Sequence, residues 1–123
     1  MKTAPELLTE SAALLAERGK QYDSPGGERS MGKAVAAFNA ITSRDLTEAE
    51  GWLLMECVKN VRNFSVWGSG HRDSVIDAIA YAALMAESVD RMLCAKEAAK
   101  AGDQERIYRA VGIKPVDASL KKR

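Results

Sequence analysis

The segment from residue 74 to residue 86 constrains the fold more than any other part of this chain. It reads SVIDAIAYAALMA, and at 100° per residue its apolar side chains point to every side of a helix. A helix that is apolar all round is buried, either in the centre of a domain or at a contact between subunits. We therefore expect the chain to fold around this helix or to assemble through it.

Asp77 is the only residue between Asp73 and Glu87 that is charged at neutral pH. Because burying an unpaired carboxylate is strongly unfavourable, Asp77 must meet a cation, several hydrogen-bond donors or a metal ion, or else take up a proton. Two interpretations are open. Asp77 either forms an internal ion pair that fixes the register of the helices, or contacts a metal ion or ligand in a cleft between them.

Helix signals recur along the rest of the chain, whereas alternating strand patterns are absent. Thr3 with Glu6 and Thr47 with Glu50 form capping boxes, which mark the starts of two helices. We expect helices over about residues 4–18, 28–42, 48–66 and from 74 onwards, with a short fifth helix over about 104–111. The prediction is an all-α fold, a compact bundle of four main helices plus a short C-terminal helix.

Two glycines and two apolar stripes complete the predicted fold. Gly19 is placed to end the first helix, and Gly102 to separate the fourth helix from the last. The expected core stripes, which follow the 3.6-residue period of a helix, are Met31, Val35, Phe38 and Ile41 on the second helix and Leu54, Val58 and Val61 on the third.

Composition narrows the class of protein. With 123 residues, 46% of them hydrophobic and 28% charged, the chain has the size of one domain, which we place at residues 1–112. A net charge of +1 argues against nucleic acid as a partner, since binders driven by phosphate contacts carry a basic excess. The basic end, residues 113–123, is expected to be a flexible tail. Because a core of this size is modest, we expect a homo-oligomer, a dimer or larger.

Neither a signal peptide nor a membrane-spanning run is visible, so we expect a cytoplasmic protein without membrane contacts. Cys57 and Cys94 lack the CxxC spacing of zinc sites and are expected to be buried, reduced thiols. The single histidine, His71, rules out a multi-histidine metal centre.

Candidate partners of Asp77 lie on the third helix. One face of that helix is defined by steps of four and three residues through Glu48, Trp52, Met55, Lys59 and Arg62. The face ends in two cations, which can hold either Asp77 or a phosphate group. The alternative is that Lys59 and Arg62 form a solvated flank beside the core stripe.

Two further features could bind a ligand. The segment 18–29, RGKQYDSPGGER, mixes glycines, cations and an aromatic residue. Glycine-rich backbone beside a helix start can bind phosphate, with Lys20 and Tyr22 as contacts, but the order of a P-loop is missing and an ordinary interhelical connection is the alternative. Asp73, four residues before Asp77, can share one helix face and one divalent cation with it.

Three motifs follow one another along residues 6–88. They are Arg18-Gly19-Lys20-Gln21-Tyr22-Asp23, Lys59-x-x-Arg62 and Asp73-Ser74-x-x-Asp77-x-x-x-Tyr81-Ala82-Ala83. Their ordered combination resembles a family of small phage and prophage proteins of unknown function. The resemblance implies a phage-encoded or prophage-encoded protein that acts in the cytoplasm of the host cell.

The segment Asp77-Ala78-Ile79-Ala80-Tyr81 is similar to the end of the ExxD motif of the MazG-like, all-α nucleotide pyrophosphohydrolases. Ser74 stands where those proteins have a glutamate, and Glu56 can stand for one acid of their EExxE motif. Members of that family are helical oligomers that cleave nucleoside triphosphates to monophosphates with magnesium.

This second similarity implies roles for five residues. Glu56, Asp73 and Asp77 would hold Mg²⁺ against the phosphates, and the metal would activate a water molecule for attack. Lys59 and Arg62 would be the catalytic cations that stabilise the developing charge.

Three functional hypotheses are open. The first is a magnesium-dependent (d)NTP pyrophosphohydrolase. The second is a non-catalytic oligomeric module that binds a nucleotide or a signalling nucleotide, with contacts from Lys20, Tyr22, Lys59, Arg62 and Tyr81. The third is a protein that inhibits a host enzyme or defence factor, in which the apolar helix serves assembly alone.

Overall fold

A computed structural model describes residues 1–22, 30–65 and 72–112 of the chain. The helices in these ranges are α1 (Ala4–Tyr22), α2 (Ser30–Thr42), α3 (Glu48–Ser65), α4 (Arg72–Ala101) and α5 (Gln104–Val111), and no strand occurs there. The predicted all-α fold, with four main helices and a short C-terminal one, is confirmed. None of the described helices combines the length and apolarity needed to cross a membrane. The predicted tail, residues 113–123, lies outside the described residues.

Both predicted capping boxes are present. The carboxylate of Glu6 accepts hydrogen bonds from the backbone N–H and the hydroxyl of Thr3, at 2.6 and 2.7 Å. At Thr47 the box is complete, because Glu50 accepts two bonds from Thr47 at 2.7 and 2.8 Å and its own N–H donates to the Thr47 hydroxyl at 3.2 Å. These bonds satisfy backbone donors that the first turn of a helix leaves free, which explains where α1 and α3 begin.

The helix α1 continues past Gly19, so the prediction that this glycine ends the helix is wrong. Among the described glycines, those with positive φ are Gly102 at 69° and Gly112 at 72°, and they end α4 and α5. A glycine ends a helix where the backbone turns to the left-handed region, whereas Gly19 is helical and buried. The helix continues through Gly19 to Tyr22, although a helical glycine costs roughly 1 kcal/mol.

The helix α4 has 30 residues and runs from the apolar segment into the polar one that follows. Two compact units, Met1–Ala86 and Glu87–Arg123, divide this helix between them. In the second unit Gly102 separates α4 from α5, as predicted. Asp103 caps α5 by accepting a hydrogen bond from the N–H of Arg106 at 3.0 Å, and Ser88 and Ala98 are buried.

The core of the first unit is built mainly on the apolar half of α4. Its buried hydrophobic side chains are Val35 of α2, Trp52 of α3 and, on α4, Ile76, Ala78, Ala80 and Leu84. Ser11 of α1 is also buried and donates its hydroxyl hydrogen to the carbonyl oxygen of Ile76 at 3.2 Å, which ties α1 to α4. The segment that is apolar on every side is therefore the central helix of this unit.

The helix α3 turns a different face to the core from the one predicted. Leu54 and Val61 of the expected core stripe are 60% and 65% exposed, whereas Trp52 is 2% exposed and Lys59 lies on the same inner side. Periodicity identifies an apolar face, but it does not tell which of two faces a neighbouring helix covers. Trp52 decides the orientation here because it has the largest apolar surface to bury, and Lys59 supports it by finding an acidic partner.

Three more predictions of burial are corrected by the structure. Phe38 and Ile41 of the α2 stripe are exposed, although Val35 in the same stripe is buried. Cys57 was expected to be a buried thiol and is exposed, because it lies on the outer side of α3. The C-terminal half of α2 and the outer side of α3 therefore present apolar side chains to the surroundings.

Two glycines on α2 and α3 should respond oppositely to alanine. A Cβ atom on Gly51 would lie 2.6 Å from Sδ of Met31 and 2.8 Å from Cγ2 of Val35, whereas one on Gly32 would meet nothing nearer than 3.7 Å. Alanine gains up to about 1 kcal/mol of helix propensity at either position, but crowding costs about 1–3 kcal/mol at Gly51. In urea unfolding we expect Gly32→Ala to raise the free energy of unfolding by about 0.5 kcal/mol and Gly51→Ala to lower it by about 1 kcal/mol. Equal gains for both variants would contradict the close approach at Gly51.

Candidate functional site

Three helices bring charged side chains together at Asp77 of α4. Its Oδ1 lies 2.8 Å from Nη2 of Arg18 on α1, and its Oδ2 lies 2.6 Å from Nζ of Lys59 on α3. The Asp77 side chain is 9% exposed, that of Lys59 16% and that of Arg18 28%. This Arg18–Lys59–Asp77 cluster joins two cations to one carboxylate, and it reaches solvent through its cations.

The two cations keep the Asp77 carboxyl group ionised. Burial alone raises the pKa of Asp77, because a carboxylate is less well solvated inside the protein. The hydrogen bond from Lys59 and the charges of Arg18 and Lys59 outweigh burial and hold the pKa of Asp77 below its ordinary value. Of the two interpretations open from the sequence, the folded chain contains the internal ion pair, and it has two cations instead of one.

An aromatic pair aligns α3 and α4 beside the cluster. The rings of Trp52 and Tyr81 stack with their centroids 5.7 Å apart and their planes 22° from parallel. Lys59 comes seven residues after Trp52 whereas Asp77 comes four residues before Tyr81, so α3 and α4 run in opposite directions at this contact. Tyr81, predicted as a ligand contact, thus has a packing role here, and ligand binding by it stays a prediction.

Arg18 is the member of the cluster that the sequence interpretation missed as a partner of Asp77. It belongs to the first motif, but the expected end of α1 at Gly19 put it at the edge of a loop. A signal for its position does exist in the sequence. Arg18 comes seven residues after Ser11, so in a continuous helix the two side chains share one face, and Ser11 packs against α4.

The other residues predicted to contact a ligand do not join Lys59 at Asp77 in the described part of the structure. Lys20 is exposed in the last turn of α1, and Arg62 is exposed on α3 one turn beyond Lys59. The side chain of Tyr22 lies outside the described part of the structure, as do His71 and residues 23–29 of the candidate phosphate-binding loop. The fold therefore brings Lys59 to Asp77 and leaves Lys20 and Arg62 at the surface.

The carboxylates implied as magnesium ligands lie on two helices. Glu56 is half-buried on α3, and Asp73 is exposed in the first turn of α4. Both oxygens of Asp77 face cations, so the donor set as folded does not fit a centre of three carboxylates. Within residues 1–22, 30–65 and 72–112, no group of three or more His, Cys, Asp or Glu side chains is placed to hold a metal ion. Magnesium binding by Glu56, Asp73 and Asp77 stays a prediction of the resemblance.

Comparisons with known proteins add no relative. No protein-family model, no curated protein and no solved structure matches this chain. The protein is therefore characterised by its own structure: an all-α fold with a cluster of two cations and one carboxylate where α1, α3 and α4 meet.

Proposed function

We propose that this protein binds the phosphate groups of a nucleotide at the Arg18–Lys59–Asp77 cluster. The observation that supports this most is the convergence of two cations from separate helices on one buried carboxylate, at a position where both cations remain partly exposed. Guanidinium and ammonium groups that are already held in place lose less conformational entropy when they bind a phosphate. In this proposal Asp77 positions the cations and does not itself contact the ligand.

The ion pair with Asp77 leaves room for a ligand on Lys59. An ammonium group has three N–H donors, and the contact of Lys59 with Asp77 accounts for one of them. Because Lys59 is 16% exposed, a phosphate oxygen can approach its ammonium group while Asp77 stays in place. Arg62, exposed and three residues after Lys59, is close enough along α3 to add a third cation.

The origin of the three side chains also supports the proposal. Arg18, Lys59 and Asp77 come from the three separate motifs of the phage-family resemblance. Two cations from different helices thus meet at one carboxylate, and Lys59 retains N–H donors for an anionic ligand.

Binding is tested by thermal shift and calorimetric titration without Mg²⁺, using inorganic triphosphate and a panel of ribo- and deoxyribonucleoside triphosphates. We expect these ligands to raise Tm with concentration, by the equivalent of about 2.7 kcal/mol at one hundred times Kd. Arg62→Gln leaves both ion pairs intact and should weaken binding about tenfold, the effect of losing one charge-assisted hydrogen bond. Lys33→Gln, which removes an exposed lysine of α2, is the matched control and should leave Kd unchanged. Absence of any shift or heat at millimolar ligand would reject the proposal.

Hydrolysis is a separate question about the same site. With Mg²⁺ added, release of pyrophosphate would support the pyrophosphohydrolase hypothesis, and binding without release would support the non-catalytic module. If Glu56, Asp73 and Asp77 hold the metal, Asp73→Asn should abolish release while triphosphate binding without Mg²⁺ stays the same, because Asp73 is exposed. Release that Asp73→Asn does not change would reject this set of metal ligands.

A further inference from the structure

Two side-chain contacts between α3 and α4 lie next to each other at the candidate site. The ammonium group of Lys59 is 2.6 Å from Oδ2 of Asp77, and the ring of Trp52 stacks on that of Tyr81 at a centroid distance of 5.7 Å. Asp77 and Tyr81 are one turn apart on one face of α4, and Trp52 and Lys59 are two turns apart on one face of α3. The ion pair and the aromatic pair therefore join the same faces of the same two helices.

The two contacts differ in how firmly they hold the helices in place. A lysine ammonium sits on a flexible four-carbon stem, so it can follow a carboxylate over a range of helix positions. The two rings pack with their planes 22° from parallel, and Trp52 is 2% exposed. Stacked rings have a preferred geometry and few rotatable bonds. A slide of α3 along α4 would therefore break the aromatic stack before it broke the ion pair.

Helix spacing shows how the stack sets the place of the ammonium group. At 1.5 Å per residue, Trp52 and Lys59 are about 10.5 Å apart along α3, whereas Tyr81 and Asp77 are about 6 Å apart along α4. Because the helices run in opposite directions, the long stem of Lys59 makes up the difference of about 4.5 Å. The point that the ammonium group reaches thus depends on where the stack holds α3.

We infer that Tyr81 is a positioning residue of the proposed phosphate site. Its ring, packed on Trp52, fixes α3 along α4 and so fixes the direction from which Lys59 meets a phosphate oxygen. Groups that bind a ligand must be held to within about half an ångström by the residues that support them. The inference rests on the proposed function. It assigns the effect to the ring of Tyr81 and not to its hydroxyl group.

The other cation of the cluster has its own tie to α4. The Ser11 hydroxyl donates to the carbonyl oxygen of Ile76 at 3.2 Å, one residue before Asp77. This bond holds α1, which carries Arg18, to the same turn of α4. Loss of the Tyr81 ring should therefore displace Lys59 and leave Arg18 at Asp77.

Calorimetric titration with inorganic triphosphate, without Mg²⁺ and well below the Tm of each variant, tests the role of the ring. Tyr81→Leu should weaken binding about tenfold, the effect of losing one charge-assisted hydrogen bond. Tyr81→Phe keeps the stack and should bind as tightly as the wild type. Ile79→Ala is the matched control, because Ile79 is half-buried about 200° away around α4. Its truncation should lower Tm without changing Kd.

Two results of this titration would overturn the inference. An unchanged Kd for Tyr81→Leu would show that Lys59 is placed without the stack. Equal losses for Tyr81→Phe and Tyr81→Leu would show that the hydroxyl group itself contacts the ligand. If Tyr81→Leu does not fold, Tyr81→Met repeats the test, since the flexible methionine side chain fills irregular gaps in a core.

A measurement without ligand separates this inference from the proposed function. Burial raises the pKa of Asp77, and the hydrogen bond from Lys59 is the largest influence that lowers it. In carboxyl-carbon NMR titrations, Tyr81→Leu should move the pKa of Asp77 up toward its ordinary value, whereas Ile79→Ala should leave it unchanged. A wild type that does not bind triphosphate would reject the proposed function, while this shift would still support the placement of Lys59 by Tyr81. Absence of the shift would overturn the inference even if the wild type binds.

Discussion

Asp77→Asn is expected to lower the free energy of unfolding by about 3 kcal/mol at pH 7, measured by urea unfolding at fixed protein concentration. Removing one partner of a buried ion pair costs about 3–5 kcal/mol, because the remaining charge is left without a counter-ion. The lower end of that range applies here, since Arg18 and Lys59 reach solvent and can be partly rehydrated. Asp73→Asn, an exposed aspartate of the same helix, is the matched control and should change stability by no more than about 0.5 kcal/mol.

The loss caused by Asp77→Asn should depend on pH. Because the cations hold the pKa of Asp77 below its ordinary value, the ionised carboxylate stabilises the fold above the unfolded-state pKa of about 3.9. That stabilisation is lost as the pH falls through the folded-state pKa, where the group becomes protonated. The difference between wild type and Asp77→Asn should therefore be full at pH 7 and shrink below about pH 4, as followed by urea titrations at several pH values.

The stability and the ligand binding of Asp77→Asn, measured together, distinguish a structural role of Asp77 from a role in positioning the cations for a ligand. A variant as stable as the wild type would show that the ion pairs do not hold α1, α3 and α4 together. If that variant also fails to bind triphosphate, Asp77 serves mainly to position Arg18 and Lys59 for the ligand. A large loss of stability with normal binding in the folded fraction would make the cluster structural and would count against the proposed function.

Trp52→Ala should lower the free energy of unfolding by about 4 kcal/mol, the cost of removing a large buried aromatic side chain and leaving a cavity. Trp52 is 2% exposed and stacks on Tyr81, so its loss removes an aromatic contact between α3 and α4 next to the ion pairs. Urea unfolding followed by circular dichroism measures the effect. Trp52→Phe retains an aromatic ring against Tyr81 and should cost about half as much.

Leu8→Ala is the control for the Trp52 substitution. Leu8 is 59% exposed, so its truncation should change the free energy of unfolding by no more than about 0.5 kcal/mol. If Trp52→Ala cost no more than Leu8→Ala, the inner face of α3 would be assigned incorrectly. The outer side of α3 would then have to pack in the core.

The three members of the charged cluster differ in how far the sequence anticipates them. Asp77 is recognised from composition, as one charge in a helix that is otherwise apolar. Lys59 is placed near it by helical spacing, because it shares a face with Trp52. Arg18 is missed as a partner because a glycine follows it, and local patterns predict a helix end there even though α1 continues to Tyr22. The sequence offers Lys59 and Arg62 as partners of either Asp77 or a phosphate group. In the fold Lys59, but not Arg62, pairs with Asp77.

Local patterns of the sequence determined where most helices begin and end and that Asp77 needs a partner. Capping bonds, glycine backbone freedom and the cost of burying a carboxylate all act within a few residues or on one side chain, so they can be read without a fold. Only the tertiary structure decided which face of α3 turned inward. Both faces carry apolar residues, and the free energy gained by burying Trp52 and pairing Lys59 exists only when α4 lies against them. The same choice left Leu54, Cys57 and Val61 on the outside.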